Sequence, residues 1–328
     1  MTQNVLVTGG AGYIGAHACK ALSQAGFQPV AFDNLALGHR DFVKWGPLVE
    51  ADIRERERVV QALREHDIVA VIHFAALSLV GESVSEPAKY YDNNVLGTFA
   101  LLEAMRAAGV DKLVFSSTCA VYGEAAVTPI TEATPKAPIN PYGRAKLACE
   151  GMIEDYGRAY GWGAAILRYF NAAGADPDGE IGEQREVETH LIPRALMALR
   201  GHVRDFAVFG GDYPTPDGSA IRDYIHVSDL ADAHVLALRR LLNGKGGGAF
   251  NLGAGHGASV AQVLETIRRI TGQTLPAPVG ARRAGDAAIL VADTSLAREA
   301  LGFEPSRSDL DSIVGDAWRW IQTAYPKI

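Results

Sequence analysis

Three cysteines in 328 residues leave little room for sulfur chemistry. Cys19, Cys119 and Cys149 form an odd, scattered set without CxxC spacing. Neither a disulfide framework nor a zinc site is expected, and buried thiols in a reducing cytoplasm are the plain reading. Positive charge is also scarce. With 31 Lys and Arg against 38 Asp and Glu, the net charge is −7, which argues against a nucleic-acid-binding face, because phosphate backbones demand dense cationic side chains. A few placed arginines can still hold a small diphosphate inside an acidic protein. No apolar run is long enough to span a bilayer. The chain enters a strand-like run at Asn4-Val5-Leu6-Val7 without a basic segment followed by an apolar one, so no signal peptide is expected and a cytoplasmic location is. No internal repeat and no low-complexity tract interrupts it.

What remains is an ordinary globular composition, 48% apolar and 21% charged. A chain of 328 residues exceeds what one compact core usually holds, so two lobes are expected. The first half alternates short apolar runs with segments of helical spacing. Asn4 to Thr8, Pro29 to Asp33, Val69 to Phe74, Lys112 to Ser116 and Ala164 to Leu167 read as strands, and Tyr13 to Gln24 as a helix. A continuous run such as Val69-Ala70-Val71-Ile72 suits a strand covered on both faces. This alternation predicts an α/β fold, a doubly wound, Rossmann-type parallel sheet over residues 1–172. Beyond residue 172 the segments shorten and Gly, Pro and Asp become common, so residues 173–328 are expected to form a smaller, mixed α/β second lobe. Segments near 219–252 (Tyr224 to Val227, Asp229 to Leu242, Ala249 to Leu252) again look like β/α units and are expected to return to the first sheet.

The run Val5-Leu6-Val7-Thr8-Gly9-Gly10-Ala11-Gly12-Tyr13-Ile14-Gly15 joins a strand, a glycine turn and a helix start. In GxxGxxG spacing, Gly9 permits the turn, Gly12 lets backbone approach a pyrophosphate and Gly15 allows close helix packing. Asp33 ends the second strand a little under ~20 residues beyond Gly15, where a carboxylate binds adenosine ribose hydroxyls and repels a 2′-phosphate, so NAD is expected rather than NADP. Asp52 and Ile53 follow the third strand region and are candidates to meet the adenine, while Phe74, Ala75 and Ala76 end a strand with small residues suited to close cofactor approach.

Tyr142 and Lys146 form a YxxxK pair, four apart and therefore on one helical face. Asn140 is a good N-cap and Pro141 a good first residue, placing Tyr142 in the first turn, where the helix dipole favours a phenolate. Lys146 and a positive nicotinamide are expected to pull the phenol down from ~10 toward neutrality, as a general base requires. Ser116-Ser117-Thr118 ends the preceding strand, and Thr118 would offer a hydroxyl to the reacting oxygen.

With these residues in view, the chain resembles the extended short-chain dehydrogenase/reductase family, and within it the bacterial UDP-glucose 4-epimerases. The stretches that carry the resemblance span nearly the whole length: Gly9 to His17, Gly81-Glu82-Ser83, Tyr91-Asp92-Asn93-Asn94-Val95, Phe115 to Thr118, Asn140-Pro141-Tyr142-Gly143, Leu167 to Asn171, Asp212-Tyr213-Pro214-Thr215, Arg222 to Val227 and Asn251-Leu252-Gly253. The resemblance implies a homodimer with tightly held NAD that acts on UDP-glucose and UDP-galactose. Tyr142 would remove the 4-OH proton as the C4 hydride leaves, and the 4-keto sugar would then turn over. It adds Tyr13, Ile14, Asn34, Asn93, Ser116 and Tyr169 to the cofactor site. On the substrate side it implies Asn171 at the diphosphate, Ala207, Val208 and Phe209 around uridine, Arg222 and Arg283 on the phosphates and Asp286 on the ribose. His190, Leu191, Tyr224 and Leu290 would line the pocket. Departures include Ser78 where some members carry lysine, His190 where others have asparagine, and Leu290 where some have tyrosine. Two rivals stand beside this reading. A nucleotide-sugar dehydratase is disfavoured because Cys119-Ala120 occupy the places where its Asp-Glu would follow the threonine, and an NAD(H)-sensing regulator because the Thr118, Tyr142, Lys146 set is intact. Epimerisation of other UDP-sugars, N-acetylhexosamine or pentose, stays open.

Overall fold

The computed structural model describes residues 2–125, 127–282 and 287–328. Its centre is a seven-stranded sheet in which every pairing is parallel. β1 (Asn4–Thr8), β2 (Gln28–Asp33), β3 (Leu48–Glu50), β4 (Ile68–His73), β5 (Lys112–Thr118) and β6 (Gly163–Tyr169) lie in the order 3-2-1-4-5-6, and the strand Gly248–Leu252 joins beyond β6. Strand order reverses between β1 and β4, which opens a crevice at their carboxyl ends, the place where such sheets bind ligands.

Successive side chains point to opposite faces. Val5, Val7, Ala70, Ile72, Val114, Ala165 and Leu167 pack against the helices Tyr13–Gln24, Val227–Leu242 and Ser295–Leu301. Leu6, Val30, Phe32, Val71, Leu113, Phe115 and Ile166 pack against Arg56–Glu65, Gly97–Ala108 and Pro141–Tyr160. Cover on both faces is why these strands read as unbroken apolar runs.

The second lobe has its own core, built on the helices Leu191–Leu199, Val260–Thr271 and Leu310–Ala324 through Ile192, Leu196, Val263, Ile267, Ile313 and Trp320. The segment after residue 219 divides between the lobes. Tyr224–His226 does not enter the large sheet; it pairs with Asn171–Ala173, directly after β6. Gly248–Leu252 does enter it, beside β6. Three ties join the lobes near the glycine turn. The Tyr13 hydroxyl donates to the Gly174 carbonyl at 2.7 Å, the Lys20 ammonium meets Asp176, Asp178 and Glu180 within 2.9 Å, and the His39 ring donates to the Gln184 carbonyl at 3.0 Å. Among the described residues no helix is long and apolar enough to cross a membrane.

Behind β5 lies a buried ion pair. Arg168 grips Glu150 through two bonds, Nε to Oε1 at 2.9 Å and Nη2 to Oε2 at 2.7 Å. Ser117 adds a bond to Glu150 at 2.6 Å, and Arg168 donates onward to the Tyr122 hydroxyl at 2.9 Å, which donates to Asn251 at 2.7 Å. The pair is 1–2% exposed, so truncating one partner strands the other charge out of water. Glu150→Ala is expected to lower folding stability by about 3–5 kcal/mol in urea unfolding; a loss below about 1 kcal/mol would show that solvent reaches the pair.

Candidate active site

The glycine turn closes the crevice. Gly9 has a φ of +73° and its N–H donates to the Phe32 carbonyl at 2.8 Å. A Cβ on Gly9 would lie 2.8 Å from the Ala75 nitrogen, and one on Gly15 only 2.0 Å from the Gly9 carbonyl oxygen. Gly12 differs. A Cβ there would meet only the Gly9 carbonyl oxygen, at 3.3 Å, so the space above it is open. The helix Tyr13–Gln24 begins at Gly12 with no side chain capping its first N–H groups. Open space over uncapped N–H groups at a helix start fits a pyrophosphate. Ile14 packs into the core below.

Asp33 has a second task. One of its oxygens accepts the Ala11 N–H at 3.0 Å and the other the Leu35 N–H at 2.9 Å, so the carboxylate also braces the glycine turn, and burial pushes its pKa up. Asn34 donates to Asp52 at 3.0 Å, and Arg54 holds the Asp52 carboxyl well below the usual range. Ile53 is buried beside Gly97. Phe74, Ala75 and Ala76 are half-buried directly after β4, with the Phe74 ring 4.6 Å from that of His234. Asn93 donates to the side chain of Asn94, and Asn94 is the buried member of the pair. It accepts the Leu77 N–H at 2.8 Å and donates to the Leu77 carbonyl at 3.0 Å, pinning the segment after β4.

Asn140 caps the helix Pro141–Tyr160, accepting the Gly143 N–H at 2.8 Å. The cap sets Tyr142 at the carboxyl end of β5, where the next residue, Gly143, packs on the Ala120 carbonyl, and its ring lies 6.4 Å from that of Tyr90. Thr118 accepts the Ala120 N–H at 3.1 Å. Ser116 meets the Tyr169 hydroxyl at 2.6 Å. Lys146 departs from expectation: its ammonium donates to the Ser116 carbonyl at 2.8 Å and lies 4.8 Å from the Phe115 ring centre. Burial pushes the Tyr142 phenol above its usual range and the neighbouring Tyr169 adds to this, while the nearby Thr118 hydroxyl opposes it. From protein groups alone, desolvation therefore dominates the phenol. Burial also draws Lys146 down to about 8.

From the second lobe, the strand Ile221–Arg222 lies beside Ile289–Leu290, with Leu290 paired to Arg222. Leu290 packs in the same apolar cluster as Cys119, next to Thr118, and the charge of Arg222 acts on both Cys119 and Tyr224. Thr118, Arg222, Tyr224 and Leu290 are thus gathered in one place. Asn171 is tied there by its N–H to the Asp223 carbonyl at 3.0 Å. His190 precedes the helix Leu191–Leu199, and Glu183, 2.7 Å from its ring, raises its pKa. Leu191 packs on the second-lobe core. Ala207 leads into the strand Val208–Phe209, paired with Val279–Gly280; Val208 is buried and Phe209 exposed. Arg283 and Asp286 lie outside the described residues.

Two residues of the site escaped the sequence reading. Asp223, fully buried, accepts N–H groups from Ala254 at 2.6 Å, Gly255 at 3.2 Å and Ala292 at 3.1 Å, knotting three chain segments behind Arg222. Its signal was its place in Arg222-Asp223-Tyr224. Arg185 reaches Ser78 at 3.5 Å from a loop with no sequence signal at all.

A doubly wound sheet whose switch point faces a glycine turn on one side and a Thr/Tyr/Lys set on the other defines a dinucleotide-dependent enzyme of the short-chain dehydrogenase type. The sequence profile of the NAD dependent epimerase/dehydratase family matches residues 5–253, and the chain belongs to that family. The UDP-glucose 4-epimerase of Rhizobium meliloti (strain 1021) is 52% identical over 97% of this chain and 97% of its own. Among solved structures, UDP-glucose 4-epimerase from Brucella ovis in complex with NAD superposes with a TM-score of 0.95 at 52% identity, covering 97% of this chain and 98% of that one. The UDP-Glc/GlcNAc 4-epimerase from Campylobacter jejuni does so with a TM-score of 0.86 at 37% identity, covering 98% and 99%.

Tyr13, Tyr142 and Tyr169 all have pKa values raised by burial above the ordinary 10.0. An acid whose folded pKa is raised stabilises the fold below its unfolded pKa and loses that contribution as pH climbs past it. A spectrophotometric titration of the folded chain is expected to leave part of its eleven tyrosines un-ionised at pH 11, with stability falling above pH 10. Ionisation of all eleven at an ordinary midpoint while the fold persists would contradict this.

Proposed function

We propose that this chain reversibly epimerises C4 of UDP-glucose and UDP-galactose through a 4-keto sugar, with NAD as a tightly held cofactor. The observation that carries the reading is the Asn140-capped start of the helix Pro141–Tyr160, packed at Gly143 against the Ala120 carbonyl just past β5, which brings Tyr142 beside Thr118 in the crevice that the glycine turn borders. Bound NAD supplies the acceptance and return of a hydride at C4. Tyr142 takes the 4-OH proton and later gives it back, and Thr118 keeps the reacting oxygen on the phenol. Lys146, drawn down to about 8 and fixed on the Ser116 carbonyl, can exchange a proton near neutral pH. Because one acid–base group must serve both faces of the sugar, the pocket must grip the nucleotide and leave the hexose free to turn.

Residues 1–172, with the helix Val227–Leu242 and the strand Gly248–Leu252 returning to the large sheet, are read as the NAD-binding unit, and the rest of 173–328 as the UDP-sugar lobe. Around the UDP-sugar, Arg222, Asn171 and Arg283 serve the diphosphate, Asp286 the ribose and Ala207, Val208 and Phe209 the uracil; His190, Leu191 and Tyr224 complete the pocket. Leu290, beside Cys119, leaves more room than tyrosine would. The hexoses are therefore the main pair, with their N-acetyl counterparts slower. The three free thiols suit a reducing cytoplasm.

A homodimer is also proposed. Val84, Leu96, Phe99 and Tyr160 are exposed on the helices and helical turns beside this site, where a second copy would cover them. Light scattering at micromolar concentration is expected to read the mass of two chains, and a single-chain mass would end this proposal.

The activity is tested by incubating the purified protein, without added cofactor, with a panel of UDP-sugars and analysing products. Interconversion of UDP-glucose and UDP-galactose with no stable 4-keto product is expected, with slower N-acetyl turnover. Tyr142→Phe is expected to lose ~10²–10⁴ in turnover while still binding UDP. Wild-type turnover in that variant would remove the base.

A further inference from the structure

Arg185 sits on the loop between Gly182 and His190, and that loop is anchored to both lobes. The Gln184 carbonyl accepts from His39 of the cofactor domain at 3.0 Å, and the Glu183 carbonyl accepts from Trp320 of the second lobe at 3.0 Å. A Cβ on Gly182 would lie 2.3 Å from the Trp320 ring, so the loop is pressed against that side chain. Held between these anchors, Arg185 projects across the cleft.

Its guanidinium is mostly withdrawn from water and poorly matched there. Nε donates to Glu183 at 2.9 Å, but that carboxylate is shared with His190 at 2.7 Å. Nη1 reaches the Ser78 hydroxyl only at 3.5 Å, the outer limit of a hydrogen bond. Nη2 has no partner among the described residues. A second carboxylate, Glu188, also acts on the guanidinium without a hydrogen bond to it, and the charge of Arg185 reaches Tyr13 in the glycine turn and Tyr90, Tyr142 and Tyr169 around the reacting centre. A planar cation that bonds a carboxylate only through Nε, with its two forked nitrogens bonded to neither Glu183 nor Glu188, matches a diphosphate.

We propose that Arg185 is a diphosphate clamp that reaches from the second lobe onto the cofactor domain and holds the dinucleotide in the crevice between Ser78 and Tyr13. The proposal rests on the NAD reading above. A diphosphate at this point could belong to the dinucleotide or to the UDP-sugar; the neighbouring glycine turn assigns it to the dinucleotide. Cofactor retention is thereby coupled to the seating of the second lobe, because the clamp is carried by that lobe.

The test compares Arg185→Gln, which removes the charge, with Arg185→Lys, which keeps it, both as full-length protein. The NAD content after purification and the rate of NAD release into buffer are read alongside UDP affinity. Losing one charge-assisted bond is expected to speed release about tenfold or more in the Gln variant, with the Lys variant close to wild type and UDP affinity unchanged in both. Equal retention by all three proteins, equal loss by both variants, or a loss of UDP affinity without faster NAD release would each overturn the clamp. Wild-type protein that holds no NAD would instead overturn the cofactor reading on which it rests.

Discussion

The geometry of the site depends on the buried Glu150–Arg168 pair. Glu150 lies on the same helix as Tyr142 and Lys146, Arg168 lies on β6 next to Tyr169, and Ser117 of β5, which also bonds Glu150, is flanked by Ser116 and Thr118. One carboxylate therefore registers three elements, and every member of the acid–base set is within eight residues of Glu150 or of one of its partners. Such a pair adds little net stability, because desolvating two charges offsets most of their attraction. It contributes registry: a sliding helix would have to break three charge-assisted bonds at once. Through Tyr122 and Asn251 the same network reaches the strand Gly248–Leu252 and so ties the sheet's last strand to the site.

The electrostatics follow from dryness. Burial raises the phenol of Tyr142 and lowers the ammonium of Lys146, so the protein favours the neutral form of both. A phenol in that position becomes a base only when positive charge is brought against it. Arg185 already acts in that direction on Tyr142. Of the two cations expected to act on the phenol, Lys146 has its ammonium on the carbonyl of Ser116. Spacing of four residues on a helix puts two side chains on one face but does not decide which neighbour each one bonds.

Much of the fold was legible because its signals are local. Glycine spacing, the Asn140-Pro141 start and the apolar runs each depend on a few adjacent residues, and the helix Tyr13–Gln24 was read to its ends. The illegible parts depend on distant partners. Asp223 looks like any aspartate until Ala254, Gly255 and Ala292 fold back onto it. Arg185 looks like a loop charge until Ser78, Glu183, Glu188 and Tyr13 fold around it. Tyr224–His226 had the pattern of a strand, yet its partner is Asn171–Ala173, a choice that no periodicity encodes.

On the proposed function, C4 is inverted by removing and returning its own hydride, with Tyr142 handling only the hydroxyl proton. Conversion of UDP-galactose to UDP-glucose in heavy water tests this most directly, with the product read by mass and by proton resonance at C4. The account predicts a product without carbon-bound deuterium at C4, and full retention of label when C4-deuterated substrate is converted in ordinary water. Solvent deuterium on C4, or loss of the substrate's label, would contradict it.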